Sequence, residues 1–217
     1  MMHHDERIQS RGEEVANSVS HGMALLLAAA AVPVLIASST RNGTALNVAA
    51  TSVFAATMVL VYAASALYHA IPHEGPKRFF RKLDQGAIFL FIAGSYTPFL
   101  LGPLEGPWGW TLFGVVWGLA VVGVTLKALD RMAHPFLSMG LYLAMGWLVV
   151  IAAKPLLMNV ATPGLILLAA GGLAYTVGVV FFALDSKLRY AHFVWHLFVV
   201  AGTACHFFAV LDYTYTV

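Results

Sequence analysis

The sequence predicts an all-α membrane protein, a bundle of seven transmembrane helices. Of the 217 residues, 60% are apolar and only 10% are charged, whereas about a quarter of the residues of an average soluble domain are charged. A helix needs about 20 mostly apolar residues to cross a bilayer. Such stretches lie at about 19–39, 46–70, 84–102, 108–127, 136–153, 162–184 and 192–213. Residues 1–217 are therefore expected to form a single seven-helix domain, in which residues 1–18 are a cytoplasmic N-terminal segment.

Short connections rich in glycine and proline separate the predicted spans. Residues 41–43 (Arg-Asn-Gly) follow the first span, residues 72–76 (Pro-His-Glu-Gly-Pro) follow the second, and Gly102-Pro103 follows the third. These combinations are typical of turns. Thr162-Pro163 is typical of a helix N-cap followed by proline at the first helical position, so the sixth span is predicted to start there.

The distribution of lysine and arginine predicts the orientation of the bundle. If the N-terminus is cytoplasmic, ten of the twelve basic residues fall on the inner side, and only Arg41 and Lys154 fall on the outer side. Cytoplasmic loops of membrane proteins carry this excess of basic residues, so the N-terminus is predicted inside and the C-terminus outside. Because topology explains the basic residues, the formal net charge of +2 does not indicate a nucleic-acid partner.

Polar residues at the ends of the spans form the candidate functional site. They are His69, Asp84, and the pair His192 and His196, and in the predicted topology all four lie at the cytoplasmic face. Ionisable groups in membrane spans are functional candidates, since inside hydrocarbon each must be paired, hydrated or bound to a ligand. His192 and His196 are four residues apart and therefore share one helix face, which suits two ligands of one metal ion.

The residue types favour zinc. Three imidazoles with a fourth position left for water are the ligand set of a catalytic zinc site, so His69, His192 and His196 are predicted to bind Zn²⁺. Asp84 either orients and deprotonates the zinc-bound water or ligates the metal directly, and the sequence leaves both roles open. Ser65, one turn before His69, is predicted to assist catalysis. Each residue has an alternative role. The histidines could be hydrogen-bonded imidazoles at the membrane interface, and the charge of Asp84 could complement the helix dipole. Ser65 could bond to a carbonyl of its own helix.

Three further polar residues are predicted to support the site from around the ligands. Glu14, Asn17 and His21 recur at intervals of three and four residues, so they share a face of the first helix at the same depth. Glu14 and His21 have the alternative of pairing with each other or with loop cations. His206 lies about 15 Å deeper than His196 along the helix, so it is expected to make a buried polar contact and not to bind the same ion.

At these residues the chain resembles the bacterial hemolysin III proteins, the prokaryotic branch of the progestin and adipoQ receptor family. The resemblance extends from about Glu13 to Phe208. It is carried in order by EEVANSVSHG, SALYHAIPH, DQGAIFLFIAGSYTPF, SMGLYLAMGW and HFVWHLFVVAGTACHF. It implies a seven-helix bundle in the bacterial inner membrane with a cytoplasmic N-terminus. It also implies zinc on the three matching histidines, with Asp84 close by.

Two classes of function follow from these observations. The first is a zinc-dependent hydrolase of a lipid amide or ester, or a regulator of membrane lipid homeostasis, with membrane lipid as substrate or ligand; the resemblance implies ceramidase-like chemistry. The second is non-enzymatic: a membrane sensor or receptor with structural zinc, or a cytolysin that forms pores. A pore needs a polar stripe through the bilayer, and apart from His206 and scattered Ser and Thr the middle of the spans is apolar. Homo-oligomer formation remains open.

The charge distribution makes a testable prediction about topology. A reporter fused after Val217 is expected to be periplasmic, and one inserted in the Lys77–Lys82 region is expected to be cytoplasmic, because basic residues are retained on the inner side. Activity of paired reporters that work only on one side of the membrane measures this. The reverse pattern would move the whole candidate site to the outer face.

Overall fold

The computed structural model describes residues 7, 9–132 and 135–214, and these residues are helical, without strands. The first part of the predicted N-terminal segment 1–18 (residues 1–6 and 8) and Val217 lie outside the described residues. The elements are α1 (Arg11–Asn42), α2 (Ala45–Ala70), α3 (Glu74–Leu100), α4 (Pro107–Ala128), α5 (Pro135–Gly146), a 3₁₀ segment (Trp147–Ala152), α6 (Ala153–Asn159), α7 (Thr162–Ala183) and α8 (Ala191–Tyr213). Since α5, the 3₁₀ segment and α6 follow one another without a loop, they form one interrupted helical segment.

Six helical segments are long and apolar enough to cross a membrane, which makes the chain a multi-pass membrane protein. The exception is α3, which has 27 residues and is thus about 40 Å long, but is less apolar. It begins at Glu74, ten residues before the predicted third span, and its first turns carry Lys77, Arg78, Arg81 and Lys82. Helix α1 likewise begins at Arg11, within the predicted segment 1–18.

The starts of α1 and α2 are fixed by reciprocal side-chain bonds. Ser10 accepts a hydrogen bond from the backbone N–H of Glu13, and the Glu13 carboxylate accepts one from the backbone N–H of Ser10. Thr44 and Asn47 make the same exchange at α2. Each exchange satisfies backbone donors that have no partner within the helix. The expected cap at Thr162 is wrong: Ala161 occupies the cap without a side-chain bond, and Thr162 is already helical.

The interruption after α5 is stabilised by a tyrosine from α3. The Tyr96 hydroxyl lies 2.9 Å from the carbonyl oxygen of Met145 and 2.7 Å from that of Gly146. It also accepts a hydrogen bond from the backbone N–H of Val149 at 2.9 Å. Tyr96 therefore pairs backbone groups that the change from α-helix to 3₁₀ geometry leaves without their regular partners.

The helices pack as a row in which α7, α8, α1, α2, α3 and α4 contact one another in that order. Small residues make the close approaches: a side chain at Gly94 of α3 would overlap Thr57 of α2. Helix α5 contacts α3, α4 and α7 much less extensively. As a result, a cavity of about 1880 Å³ remains in the bundle, lined by residues of α3, α5, α7 and α8.

Side-chain bonds bring together the ends of the helices that carry the candidate site. Glu14 near the start of α1 contacts His69 at the end of α2 and Lys77 at the start of α3. Lys82 of α3 pairs with Asp130, just after α4. At the opposite end of the bundle, Asn47 at the start of α2 donates to the Leu101 carbonyl after α3. The consecutive helices α1, α2, α3 and α4 therefore run in alternating directions, as the predicted topology requires.

The close approach of α2 and α3 predicts a stability difference between two glycine variants. Gly94→Ala is expected to lower the free energy of unfolding by about 1–3 kcal/mol, because the methyl group overlaps Thr57. Gly118→Ala is the control, since no atom lies within 4 Å of a Cβ at that position and alanine is the better helix former. Thermal unfolding in detergent compares the two. Equal midpoints would contradict the packing of α2 on α3.

Candidate metal centre

The structure brings the three predicted histidine ligands together. His69 comes from the last turn of α2, and His192 and His196 come from the first turns of α8. One ring nitrogen of each lies within 4.8 Å of the other two. The ring centroids are 5.1 Å apart for His69 and His192, 5.1 Å for His69 and His196, and 4.8 Å for His192 and His196. His69 and His196 are buried, and His192 is half-buried.

Every one of these histidines uses its Nδ1 atom in a hydrogen bond. His69 Nδ1 lies 2.7 Å from Glu14 Oε2, and His192 Nδ1 lies 2.9 Å from Asp185 Oδ2. Ionised carboxylates only accept hydrogen bonds, so both Nδ1 atoms carry the proton. His196 Nδ1 lies 3.2 Å from Ser20 Oγ.

The Ser20 hydroxyl fixes the tautomer of His196 in the same way. Its single proton is donated to the Asn17 carbonyl at 2.9 Å, so its oxygen accepts from His196 Nδ1. All three imidazoles therefore carry their proton on Nδ1 and present an unprotonated Nε2, the form of histidine that binds metals. Carboxylates and carbonyl groups bonded to the far nitrogen are also the usual supports of metal-binding histidines.

Glu14, predicted to support the site, links two helices to the cluster. Its second carboxylate oxygen, Oε1, accepts a hydrogen bond from Lys77 Nζ at 2.7 Å. Of the two alternatives for Glu14, pairing with a cation outside α1 is therefore the one observed, alongside its bond to His69. This ion pair holds the carboxylate in the orientation that the His69 bond requires.

His21, the second predicted supporting residue, lies flat against one ligand. Its ring stacks on that of His196 with centroids 3.5 Å apart and planes inclined by 7°. His21 Nδ1 lies 2.7 Å from Ser65 Oγ, and its Nε2 is buried without a hydrogen-bond partner among the described residues. His21 thus fixes the plane of His196 and connects it to Ser65.

Ser65 and Asp84, the predicted catalytic residues, form a second polar group beside the histidines. The buried Ser65 hydroxyl bonds to His21 at 2.7 Å and lies beside Asp84. Asp84 is half-buried, and it lines the large cavity together with His192 and His196. A chain of three side chains, His21, Ser65 and Asp84, therefore runs along the cavity next to the histidine cluster.

Asn17, the third predicted supporting residue, contacts the site indirectly, through its backbone carbonyl and through Gln9. Its side chain is fully buried, and Nδ2 donates to Gln9 Oε1 at 2.8 Å. Its backbone carbonyl accepts the Ser20 proton that sets the tautomer of His196. The side chain of Asn17 does not touch a ligand in any of these contacts.

Sequence reasoning missed Ser20 and Asp185, the partners of His196 and His192. Ser20 lies three residues after Asn17 on α1, a spacing that places it beside Asn17 on the helix surface, and Asp185 lies in the connection between α7 and α8. For Asp185 the available signal was an acidic residue seven positions before His192 on the same predicted side. The pKa of Asp185 is lowered: burial opposes ionisation, but hydrogen bonds from His192 and Gln9 and the charge of Arg7 outweigh it.

The histidine cluster fits a divalent metal by its chemistry. His69 Nε2 is buried and has no hydrogen-bond partner among the described residues, and such a group costs free energy unless a ligand satisfies it. Two nitrogens on a tetrahedral zinc are about 3.4 Å apart, given bond lengths of about 2.0–2.1 Å. One ring nitrogen of each histidine lies within 4.8 Å of the others, so the rings would move closer together on binding an ion.

His206 lies apart from the cluster, as its sequence position suggested. It is further along α8, where its ring packs edge-on against Tyr175 with centroids 5.3 Å apart. Both residues line the cavity. His206 is therefore part of the cavity wall.

The cluster predicts stoichiometric zinc. Purified protein is expected to carry about one Zn²⁺ per chain, and His192→Ala or His196→Ala is expected to lose most of it, because two imidazoles bind far more weakly than three. His73→Ala is the matched control, since His73 is exposed at the start of α3. Elemental analysis by mass spectrometry measures the ratio. Equal zinc in wild type and the cluster variants would refute the site.

Comparison with known proteins finds relatives over most of the chain. Residues 9–207 match the family model described as "Haemolysin-III related". The chain is 44% identical to "Hemolysin-3" of Bacillus cereus over 93% of this chain and 91% of the relative. It is 41% identical to "Hemolysin-3 homolog" of Bacillus subtilis (strain 168) over 93% and 94%. "Monocyte to macrophage differentiation factor" of Homo sapiens is 37% identical over 63% of this chain and 56% of the relative. The chain therefore belongs to the hemolysin III family of membrane proteins.

Proposed function

We propose that this protein is a zinc-dependent hydrolase of membrane lipids, acting on an amide or ester bond at the histidine cluster. The observation that carries the proposal is the common orientation of the three imidazoles. Each has its Nδ1 bonded to Glu14, Asp185 or Ser20, and each therefore has an unprotonated Nε2 that can bind an ion. A bound zinc ion would supply a Lewis acid for the substrate carbonyl and an acidified water molecule.

The chain's own residues supply the proton transfer. Glu14 and Asp185 are already bonded to His69 and His192. Asp84 lines the cavity beside His192 and His196, so its carboxylate is assigned to accept a proton from water. Ser65 bonds to His21 at 2.7 Å and lies beside Asp84, where its hydroxyl can orient the Asp84 carboxylate. In this assignment Asp84 is the general base, while Ser65 and His21 hold it in place.

The cavity supports a lipid as the substrate. Its volume of about 1880 Å³ exceeds that of usual small-molecule pockets, about 300–1,000 Å³. Away from the cluster its wall is largely apolar, with Phe99, Leu143, Leu156, Leu165 and Leu173 among the lining residues. Acyl chains fit such a wall, and the polar end of the cavity then receives the linkage between chain and headgroup.

The same proposal includes the orientation predicted from the charges. In this proposal α3 also crosses the membrane, which brings the count to seven spans. Its packing against both α2 and α4 supports this, and its charged first turns would extend into the aqueous phase. With the N-terminus inside, the cluster faces the cytoplasm. In a bacterium the protein would lie in the inner membrane, and the zinc centre would act on the cytoplasmic leaflet.

A structural role for zinc is the second candidate. The three ligands come from α2 and α8, which α1 separates in the packing order. An ion bound there would cross-link the two helices without any reaction, as a sensor with a structural metal requires. The two candidates differ in what they demand of Asp84.

Asp84→Asn separates hydrolase from sensor. The variant is expected to keep zinc and the folded state, because Asn has the same shape, but to lose lipid hydrolysis, because the amide accepts no proton. Zinc content and product release are measured by mass spectrometry on protein reconstituted with ceramide, acyl-ester and phospholipid panels. Asp130→Asn is the matched control, since Asp130 is an exposed acid paired with Lys82.

Each outcome of this experiment is informative. Product release by Asp130→Asn but not by Asp84→Asn, at equal zinc content, supports the hydrolase. Equal product release by all three proteins contradicts the role of Asp84. If wild type releases no product from any panel while zinc removal lowers the unfolding temperature strongly, the zinc is structural.

A further inference from the structure

Residues ahead of the first helix contact the connection between α7 and α8. Arg7 makes two hydrogen bonds to the Glu13 carboxylate, at 2.9 and 2.6 Å. The same guanidinium lies 3.3 Å from the carbonyl oxygens of Asp185 and Leu188. The N-terminal end of the chain is therefore bound to a segment that is about 180 residues away in sequence.

Glu13 also fixes the start of α8. Its Oε1 accepts a hydrogen bond from the backbone N–H of Tyr190 at 2.8 Å. Tyr190 has a left-handed backbone with φ of 59°, a conformation that costs free energy in a bulky residue and needs support from its surroundings. The Glu13 bond gives that support two residues before His192.

Gln9 connects the residues ahead of α1 to the metal centre. Its Nε2 lies 3.3 Å from both carboxylate oxygens of Asp185, and its Oε1 accepts from Asn17 Nδ2 at 2.8 Å. The opposite placement of the amide would put Oε1 against a carboxylate, so the network fixes its orientation. Asp185 in turn bonds to His192 Nδ1 at 2.9 Å.

We propose that Gln9 is a positioning residue for the metal centre, which sets the orientation of His192 through Asp185. The inference rests on the proposed zinc site and adds a residue outside the bundle to it. Gln9 is anchored on the buried Asn17 of α1 and contacts both oxygens of the carboxylate that holds the imidazole. Arg7 and Glu13 fix the backbone of the connection, and Gln9 fixes the side chain that orients the ligand.

His192 depends on this support more than the other ligands do. The Nδ1 partners of His69 and His196 lie on α1, a helix packed directly against α2 and α8. The partner of His192 lies outside the helices, on a connection whose residues Ser186 to Tyr190 are exposed. Without Gln9, the Asp185 side chain has solvent-facing alternatives, and His192 loses its fixed tautomer.

Gln9→Leu tests the proposal, because leucine removes both amide bonds at similar size. The affinity for zinc, measured by competition with a chromophoric chelator in detergent, is expected to fall by about tenfold or more, as for other partners of metal ligands. Arg11→Ala is the control, since Arg11 is exposed at the start of α1, two residues after Gln9. Both variants should show similar thermal unfolding when metal-free, so that the loss of affinity is not a loss of fold.

A double-mutant cycle shows whether Gln9 acts through Asp185. Asp185→Ala alone is expected to weaken zinc binding, and adding Gln9→Leu to it should cause no further loss, because the two residues act in series. Unchanged zinc affinity in Gln9→Leu, or a full additional loss in the double variant, would overturn the proposal.

A metal-free measurement keeps the two proposals distinguishable. Nitrogen NMR of ring-labelled histidine, with His192 assigned by comparison with His192→Gln, reports which ring nitrogen carries the proton. Wild type should hold the Nδ1–H form, and Gln9→Leu should mix both forms. Failure of wild type to bind zinc would defeat the metal centre, whereas an unchanged His192 signal in Gln9→Leu would defeat the role of Gln9.

Discussion

The hydrogen bonds at the three Nδ1 atoms are the constraint on which the rest of the site depends. A buried imidazole is costly unless its polar atoms are paired, and here the partners come from outside the helices that carry the rings. Glu14 and Ser20 of α1 hold His69 of α2 and His196 of α8. A shift of α1 along its neighbours would break both bonds at once. The orientation of the metal-facing nitrogens therefore depends on the packing of α1 between α2 and α8.

Much of the fold could be predicted from composition alone, since apolar stretches of sufficient length have few alternatives to helices in a membrane. The features that composition did not predict depend on contacts between residues far apart in the sequence. Helix α3 starts at Glu74 because its charged turns gain partners on other segments, among them Glu14 and Asp130. The 3₁₀ interruption after Gly146 depends on Tyr96, which lies about fifty residues earlier in the sequence. No local pattern contains that contact.

The candidate site divides in the same way. The grouping of the histidines was predictable because the four-residue spacing of His192 and His196 and the alternating direction of the spans fix which ends meet. Asp185 and Gln9 were not predictable, because polar residues outside the spans are ordinary and nothing in their spacing refers to His192. Helical periodicity identifies residues that share a face. It carries no information about a loop that folds back over the end of a helix.

The charges around the cluster also favour a divalent cation. Two of the nearby carboxylates are balanced within the chain: Glu13 by Arg7, and Glu14 by Lys77. Asp185 accepts a hydrogen bond from the neutral His192 imidazole and shares the charge of Arg7 with Glu13, and Asp84 lies beside the uncharged Ser65. Two negative charges thus remain close to three neutral imidazoles in a partly buried site, where charge separation is expensive. A doubly charged cation on the Nε2 atoms would neutralise both, whereas protonation of the imidazoles would remove the ligand atoms themselves.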